Sequence, residues 1–205
     1  MKMTALLGFI PRLVSRLRRF VELTRYNNYT ISEYFRKQGA QVGEDCYIVI
    51  RQLGTEPYLV SIGNHVAIAE GTLFHTHDGG TWVFRQEMPD LRVFGPIIIK
   101  DNCMIGAHVH LLPGVTVGPN SIVAAGSVVI TDVPPNSVVM GVPARAFGSL
   151  EKYREKCFAK WDEQKPPTIP PDYFEQLDVS PHRETVRLAL RNHLAKLFEP
   201  QLKRP

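Results

Sequence analysis

An aliphatic residue returns at every sixth position along one stretch of this chain: Ile99, Ile105, Leu111, Val117, Val123 and Val129. An α-helix repeats at 3.6 residues and a plain amphipathic strand at two, so neither accounts for the beat. A period of six fits a coil of short flat strands joined by tight corners, with one strand and one corner per hexad. Three hexads then close a triangular turn of about 18 residues, with the aliphatic residue pointing into the prism. The fifth place of each hexad holds a compact residue, namely Cys103, Val109, Val115, Ser121, Ser127 and Val133, suited to the crowded space beside a corner. The same beat starts earlier at Ile62 and Ile68, and more loosely at Val42 and Ile48. Gly63, Gly106, Gly114 and Gly118 fall where corners are expected, and glycine tolerates the unusual φ values that corners use. An ordinary sandwich of short strands predicts irregular spacing instead.

The flanks read as helical, giving a mainly β chain with helical ends. Thr30 followed by Glu33 has capping-box spacing and Gly39 supplies a stop, which predicts a helix over about 31–37. Beyond Ala146, LEKYREKCFAKW reads as one helix and KPPTIPP as a stiff linker. Ser180 and Pro181 read as the cap and first residue of a last helix through Phe198. The expected division is a basic N-terminal segment over 1–38, a coil body over 39–147 with a protruding loop at about 74–97, and a helical extension over 148–205. The extension exceeds what the coil needs, and packing against the prism or a neighbouring subunit is its expected job.

With 44% hydrophobic and 21% charged residues, the composition is that of a globular protein with one core and appendages. Three cysteines, Cys46, Cys103 and Cys157, form neither a paired framework nor a CxxC spacing, which argues for a reducing compartment and against a thiolate metal site. The net charge of +4 is unevenly spread: residues 1–38 carry 8 basic against 2 acidic groups, whereas 39–146 carry 5 against 9. Arg12, Arg16, Arg18 and Arg19 recur near helical spacing among Leu13, Val14, Leu17, Phe20 and Val21. Such a face suits an anionic membrane surface or nucleic acid, or is simply solvated; no nucleic-acid partner is expected, and any membrane contact is weak and peripheral. The apolar run Leu6 to Ile10 falls far short of the roughly 20 residues that span a bilayer, and no small-residue cleavage site follows it. A cytoplasmic protein is expected.

Three motifs carry a resemblance: IGAHVHLLPGVTVG at 105–118, AAGSVV at 124–129 and DVPPNSVVMGVPAR at 132–145. Over about residues 38–147 the chain resembles the hexapeptide-repeat acyltransferases, in particular the group of maltose, galactoside, capsule and O-antigen sugar O-acetyltransferases. The resemblance implies a left-handed parallel β-helix, a homotrimer with active sites between neighbouring prisms, and acetyl-CoA as co-substrate lying along the groove. The handedness comes from the resemblance alone, because right-handed crossovers are the general rule.

Between Ile68 and Ile99 the beat is broken by about 25 residues containing LFHTHDGGTWVFRQEMPDLRVFGP. A loop this long in a compact fold is functional or disordered, and its aromatic residues, arginines and histidines favour function. Acetyl transfer to an alcohol or amine needs a base, and histidine suits it with an unperturbed pKa near 6.5. The resemblance carries the base onto His77 within Thr76-His77-Asp78. Asp78 either orients the imidazole or contacts the acceptor. His75, two positions away on an extended segment, shares the face of His77 and holds the acceptor or fills the wall. Trp82, with Phe84, offers an aromatic face to a sugar ring and Arg85 a cation for phosphate or carboxylate; the alternative is that this loop packs a trimer.

On the donor side, the resemblance places Ala107 and Ala125 as backbone contacts to the pantetheine arm, with Gly106, Gly126 and Ser127 bordering it. Arg145 lies where a basic group meets the coenzyme's phosphates, which its forked donors suit. Thr131 stands where many relatives have lysine, and Met104 where many have an aromatic residue. A second pair, His108-Val109-His110, invites a zinc reading, because neutral imidazoles bind zinc and a zinc-bound water runs hydration chemistry. The γ-class carbonic anhydrases, which share this fold, place histidines where this chain has Ala107 and Leu112, so no metal is expected. The expected reaction is O-acetylation of a sugar hydroxyl of capsule, O-antigen or exopolysaccharide type. The rivals are N-acetylation of a nucleotide-linked amino sugar, for which Arg51, Arg85 and Arg92 are available, a γ-carbonic-anhydrase-like protein, and an inactive β-helical scaffold.

Overall fold

The computed structural model describes residues 14–166 and 183–202. The chain divides into two units, Met1–Glu151 and Lys152–Pro205. Among the described residues of the first, thirteen strands numbered β1 to β13 in chain order form three sheets. The first sheet holds β1 (Gln41–Val42), β3 (Val60–Ile62), β6 (Ile97–Ile99) and β9 (Thr116–Val117). The second holds β2 (Tyr47–Ile48), β4 (Ala67–Ile68), β7 (Cys103–Ile105), β10 (Ser121–Val123) and β12 (Ser137–Met140), closed by the antiparallel β13 (Arg145–Ser149). The third holds β5 (Leu73–Phe74), β8 (His110–Leu111) and β11 (Val128–Val129). From β3 to β11 the chain visits the three sheets in rotation, and every strand except β13 pairs in parallel, which is a parallel β-helix.

The register gives the beat its meaning. Ile98 pairs with Thr116, Met104 with Ile122 and His110 with Val128, each a step of 18 residues and so three hexads. The beat residues stack as inward columns, Ile62–Ile99–Val117, Ile68–Ile105–Val123–Val139 and Phe74–Leu111–Val129, all buried. The fifth-place residues Cys103, Val109, Val115, Ser121, Ser127 and Val133 are buried too. Between β3 and β6 the step grows to 37 residues, 19 more than a plain coil, and this excess is the protruding loop.

Two local expectations are corrected. The corners from the first sheet to the second take their positive φ at Asp45, His65, Asn102, Asn120 and Asn136, not at glycine. Asparagine tolerates this conformation, and here the side chains add a ladder: Asn102 Nδ2 donates to Asn120 Oδ1 at 2.8 Å, and Asn120 Nδ2 to Asn136 Oδ1 at 3.1 Å. Gly106 is glycine because of space, since a Cβ there would lie 2.4 Å from the Ala125 nitrogen of the next coil. At the N-terminus, helix α1 covers 14–23 and α2 is Ile31–Lys37, but Thr30 makes no side-chain cap. Asn27 takes that part: its Oδ1 accepts from the N–H groups of Tyr29 and Thr30. Ile31, Tyr34 and Phe35 of α2 join the prism's core.

In the second unit, α3 (Leu150–Gln164) begins at the unit boundary and α4 (Arg183–Leu202) runs four residues past Phe198. Most of the KPPTIPP linker, Ser180 with Pro181, and the apolar run Leu6 to Ile10 lie outside the described residues.

Candidate active site

The chain leaves the coil immediately after β5. His75 still donates its N–H to Leu111 O of the next coil at 2.9 Å, and then the direction changes. His77 bridges antiparallel to Phe94, Asp78 N donates to Val93 O at 2.9 Å, and Gly95 N to Thr76 O at 3.1 Å. Residues 76–78 and 93–95 thus form a clamped stem that fixes His77 while the segment between them projects.

On the first coil the third side carries no strand; instead a 3₁₀ turn, Pro57–Leu59, follows Glu56. That turn brings Glu56 Oε2 to 3.0 Å from His77 Nδ1. The same oxygen accepts from Thr55 Oγ1 at 2.7 Å and from the buried Thr76 Oγ1. Burial alone pushes the Glu56 carboxyl up, but hydrogen bonds from Thr76, His77 and Thr55 together with the His77 charge outweigh it and hold the group below its ordinary value. An ionised carboxylate only accepts, so the proton of a neutral His77 belongs on Nδ1 and the lone pair on Nε2. The ring is half-exposed, stands edge-on to Phe94 with centroids 6.2 Å apart, and lines a cavity of about 270 Å³ with Gln52, Thr55, Thr72, His75 and Thr76. The arrangement can take a proton at Nε2 from a group bound in that cavity.

His75 lines the same cavity, as the extended spacing predicts, yet it has its own partner. Its Nε2 lies 3.0 Å from His110 Nδ1, with the rings stacked at 5.2 Å and 11°. Burial, then the nearby His110 and His77, hold His75 below its usual pKa, which favours the neutral His75 ring. His108 does not join it; it occupies a corner at φ 55°. Among the described residues no group of three or more His, Cys, Asp or Glu side chains is placed to hold a metal ion.

The remaining candidates are spread over different parts of the coil. Asp78 does not orient His77: its Oδ1 accepts from Gly80 N at 2.8 Å and caps the 3₁₀ turn Gly79–Phe84, leaving the orienting contact to Glu56. Trp82 is 71% exposed and stacks under the Arg85 guanidinium at 5.2 Å; both sit on the projecting segment and not in the His77 cavity. Ala107, Ala125 and Gly126 gather at the corner entering the third sheet, where Gly126 N donates to Ala107 O at 2.8 Å, and Gly106 packs beneath Ala125. Ser127 follows at the same corner; its side chain is fully buried and its Oγ accepts from Gly141 N at 3.2 Å, so the hydroxyl braces the next coil. Thr131 is exposed at the corner leaving the third sheet, the same edge as His77 but two coils on. Arg145 is exposed on β13, its Nη1 donating to Ala144 O at 3.0 Å. Cys46 and Cys103 are buried and burial pushes both thiols up, which removes them as thiolate nucleophiles.

Glu56 and Phe94 are the site residues that sequence reading missed. Because the folded pKa of Glu56 is depressed, its contribution to stability is present above the unfolded value of about 4.3 and is lost as pH falls through the folded value. Melting curves are expected to show wild type losing more stability than Glu56→Gln between neutral pH and about pH 3. Equal losses would mean that the carboxylate is not held as described.

The family model for the bacterial transferase hexapeptide (six repeats) matches residues 96–131. The protein CapG of Staphylococcus aureus is 44% identical over 149 residues, covering 71% of this chain and 86% of that protein. The galactoside O-acetyltransferase of Escherichia coli (strain K12) is 36% identical over 109 residues, which is 53% of each chain. A hexapeptide-repeat-containing acetyltransferase of Vibrio cholerae O1 biovar eltor, solved in complex with acetyl coenzyme A, is 27% identical over 57% of this chain and 74% of that one, with a TM-score of 0.43. With its repeats matched by the family and CapG covered almost from end to end, this chain belongs to the hexapeptide-repeat transferases and is an acyltransferase.

Proposed function

We propose that the chain moves an acetyl group from acetyl-CoA to a sugar hydroxyl, with His77 as general base and Glu56 as the group that positions it. The observation that carries this reading is the Glu56–His77 pair at the clamped stem, which leaves Nε2 as the acceptor on a ring that lines the cavity. Nε2 takes the hydroxyl proton as the oxygen attacks the thioester carbonyl, and a backbone N–H stabilises the oxyanion. Collapse of the tetrahedral intermediate expels the CoA thiolate, which takes the proton back from His77. No acyl-enzyme is needed, in keeping with the buried, raised thiols of Cys46 and Cys103. A galactoside O-acetyltransferase among the relatives supports a sugar acceptor.

The rest of the reading rests on the resemblance and on exposure. The coil is left-handed, and the coenzyme runs along the third sheet past Gly106, Ala107, Ala125 and Gly126, with Thr131 and Arg145 toward its phosphates. The enzyme is a homotrimer: Trp82, Val83, Phe84 and Phe94 leave a large apolar surface on the loop that a neighbouring prism covers, and Trp82 and Arg85 meet the acceptor there. It works in the cytoplasm, where its thiols stay reduced. The test is release of CoA thiol from acetyl-CoA, in the presence of a chelator, with free sugars, oligosaccharides and nucleotide-linked amino sugars. Turnover with a sugar that offers only hydroxyls is expected. Turnover confined to amino sugars makes the enzyme an N-acetyltransferase, abolition by the chelator revives the zinc reading, and failure to bind CoA leaves an inactive scaffold.

A further inference from the structure

Helix α1 shows two different faces. On one side Leu23 packs against the prism's core and Arg19 Nη2 donates to Arg51 O at 3.3 Å, which fastens the helix to the first coil. On the other, Val14, Leu17, Phe20 and Val21 stay exposed, Leu17 by 61% and Phe20 by 66%. At helical geometry these four fall within an arc of about 120°, and Arg16 and Arg18 flank its two edges. Residues 14–25 carry Arg16, Arg18, Arg19 and Arg25 against the single acid Glu22, and residues 1–13 add Lys2 and Arg12 with no acid.

A solvated helix face does not call for four large apolar side chains in one arc, and a face that meets only protein has no use for arginine along both borders. An apolar arc between basic borders matches the layering of a bilayer surface, with acyl chains below and anionic headgroups at the level of the guanidinium groups. We propose that α1 is an interfacial anchor whose Val14–Leu17–Phe20–Val21 face enters the headgroup boundary of an anionic bilayer, with Arg16 and Arg18 on lipid phosphates. Arg19 also lines a cavity with Gln52, Gly54 and Thr55, and those three residues wall the His77 cavity as well. On the acetyltransferase reading, docking through α1 presents the cleft to acceptors carried at a membrane, although the docking itself does not depend on that reading.

The experiment is flotation of the full chain with vesicles of phosphatidylcholine, with and without phosphatidylglycerol, alongside Arg16→Glu/Arg18→Glu and Leu17→Ser/Phe20→Ser. Wild type is expected to float with the anionic vesicles only, and less well as salt rises. Each basic residue near such a surface is worth about fivefold in partitioning, so the double arginine variant loses at least about 25-fold. The apolar double variant is expected to lose binding by about as much. All four positions are exposed, so melting temperature and CoA-thiol release with a soluble acceptor stay at wild-type values. Absence of wild-type flotation overturns the proposal, as does binding that either double variant leaves unchanged. Light scattering supplies a further arm: if the apolar variant lowers the oligomeric state, the arc is covered by a second copy and the anchor is refuted.

Discussion

His77→Ala is expected to lower turnover by about 10²–10⁴ while leaving CoA binding intact, the range that loss of a positioned general base costs. The variant removes the ring that Glu56 contacts and leaves the coil untouched, because His77 lies on the stem and not in an inward column. Glu56→Gln separates positioning from proton transfer. An amide at 56 can offer its own N–H to Nδ1 and hold the ring in the tautomer whose Nε2 is protonated, so turnover falls at least about tenfold with KM for the acceptor little changed. His75→Ala touches the cavity wall and its His110 partner but no carboxylate, so its effect falls mainly on acceptor KM. Initial rates of CoA release for the three variants, over a range of acceptor concentrations, check the assignment. A His77→Ala enzyme as fast as wild type removes the base and shifts attention to the His75–His110 pair.

Much of the coil was legible because a closed prism leaves each inward position little choice. A residue at Ile105 or Leu111 faces the same crowded axis as its neighbours one coil away, so the same residue type recurs at a fixed period. The broken beat located the projecting loop for the same reason, and the resemblance of Thr76-His77-Asp78 pointed to His77 as the candidate base. Glu56 was invisible because it stands 21 residues from His77 in a segment with no strand and no repeat; only the stacking of coils brings the two together. Asp78, adjacent in sequence, offered either an orienting carboxylate or an acceptor contact, and it is Glu56 that meets the His77 ring. Ser127 follows the period instead: its fifth-position slot in the hexad turns the hydroxyl inward, as the compact residues of that place predict. Period predicts which side of the wall a residue faces, and it says nothing about which residue of a corner is left-handed: Gly114 takes that conformation as expected, whereas His65, His108 and Asn120 take it in the corners of Gly63, Gly106 and Gly118.

The inward columns set the second large effect. Ile105 is fully buried in the middle of the second sheet, between Ile68 of the preceding coil and Val123 of the next. Its neighbours cannot fall into the space left by a truncated side chain, because Ala69 N bonds to Ile105 O at 2.9 Å and Gly106 N to Val123 O at 2.8 Å, so the ladder fixes the spacing between coils. Ile105→Ala therefore costs about 2–5 kcal/mol, the transfer free energy of the lost carbons plus an uncollapsed cavity. For a unit of this size each kcal/mol moves the melting temperature by roughly 2–4 °C, so a fall of about 4–20 °C is expected. Met104 supplies the control, since it is the adjacent residue of the same strand, faces outward and is 39% exposed. Met104→Ala is expected to change stability by no more than about 0.5 kcal/mol. Calorimetry of both variants decides the point, because equal losses at 104 and 105 would mean that this strand does not alternate between core and surface. A large loss at 105 alone ties the six-residue period to the force that holds the coils together: each hexad contributes one side chain to an axis that tolerates no gap.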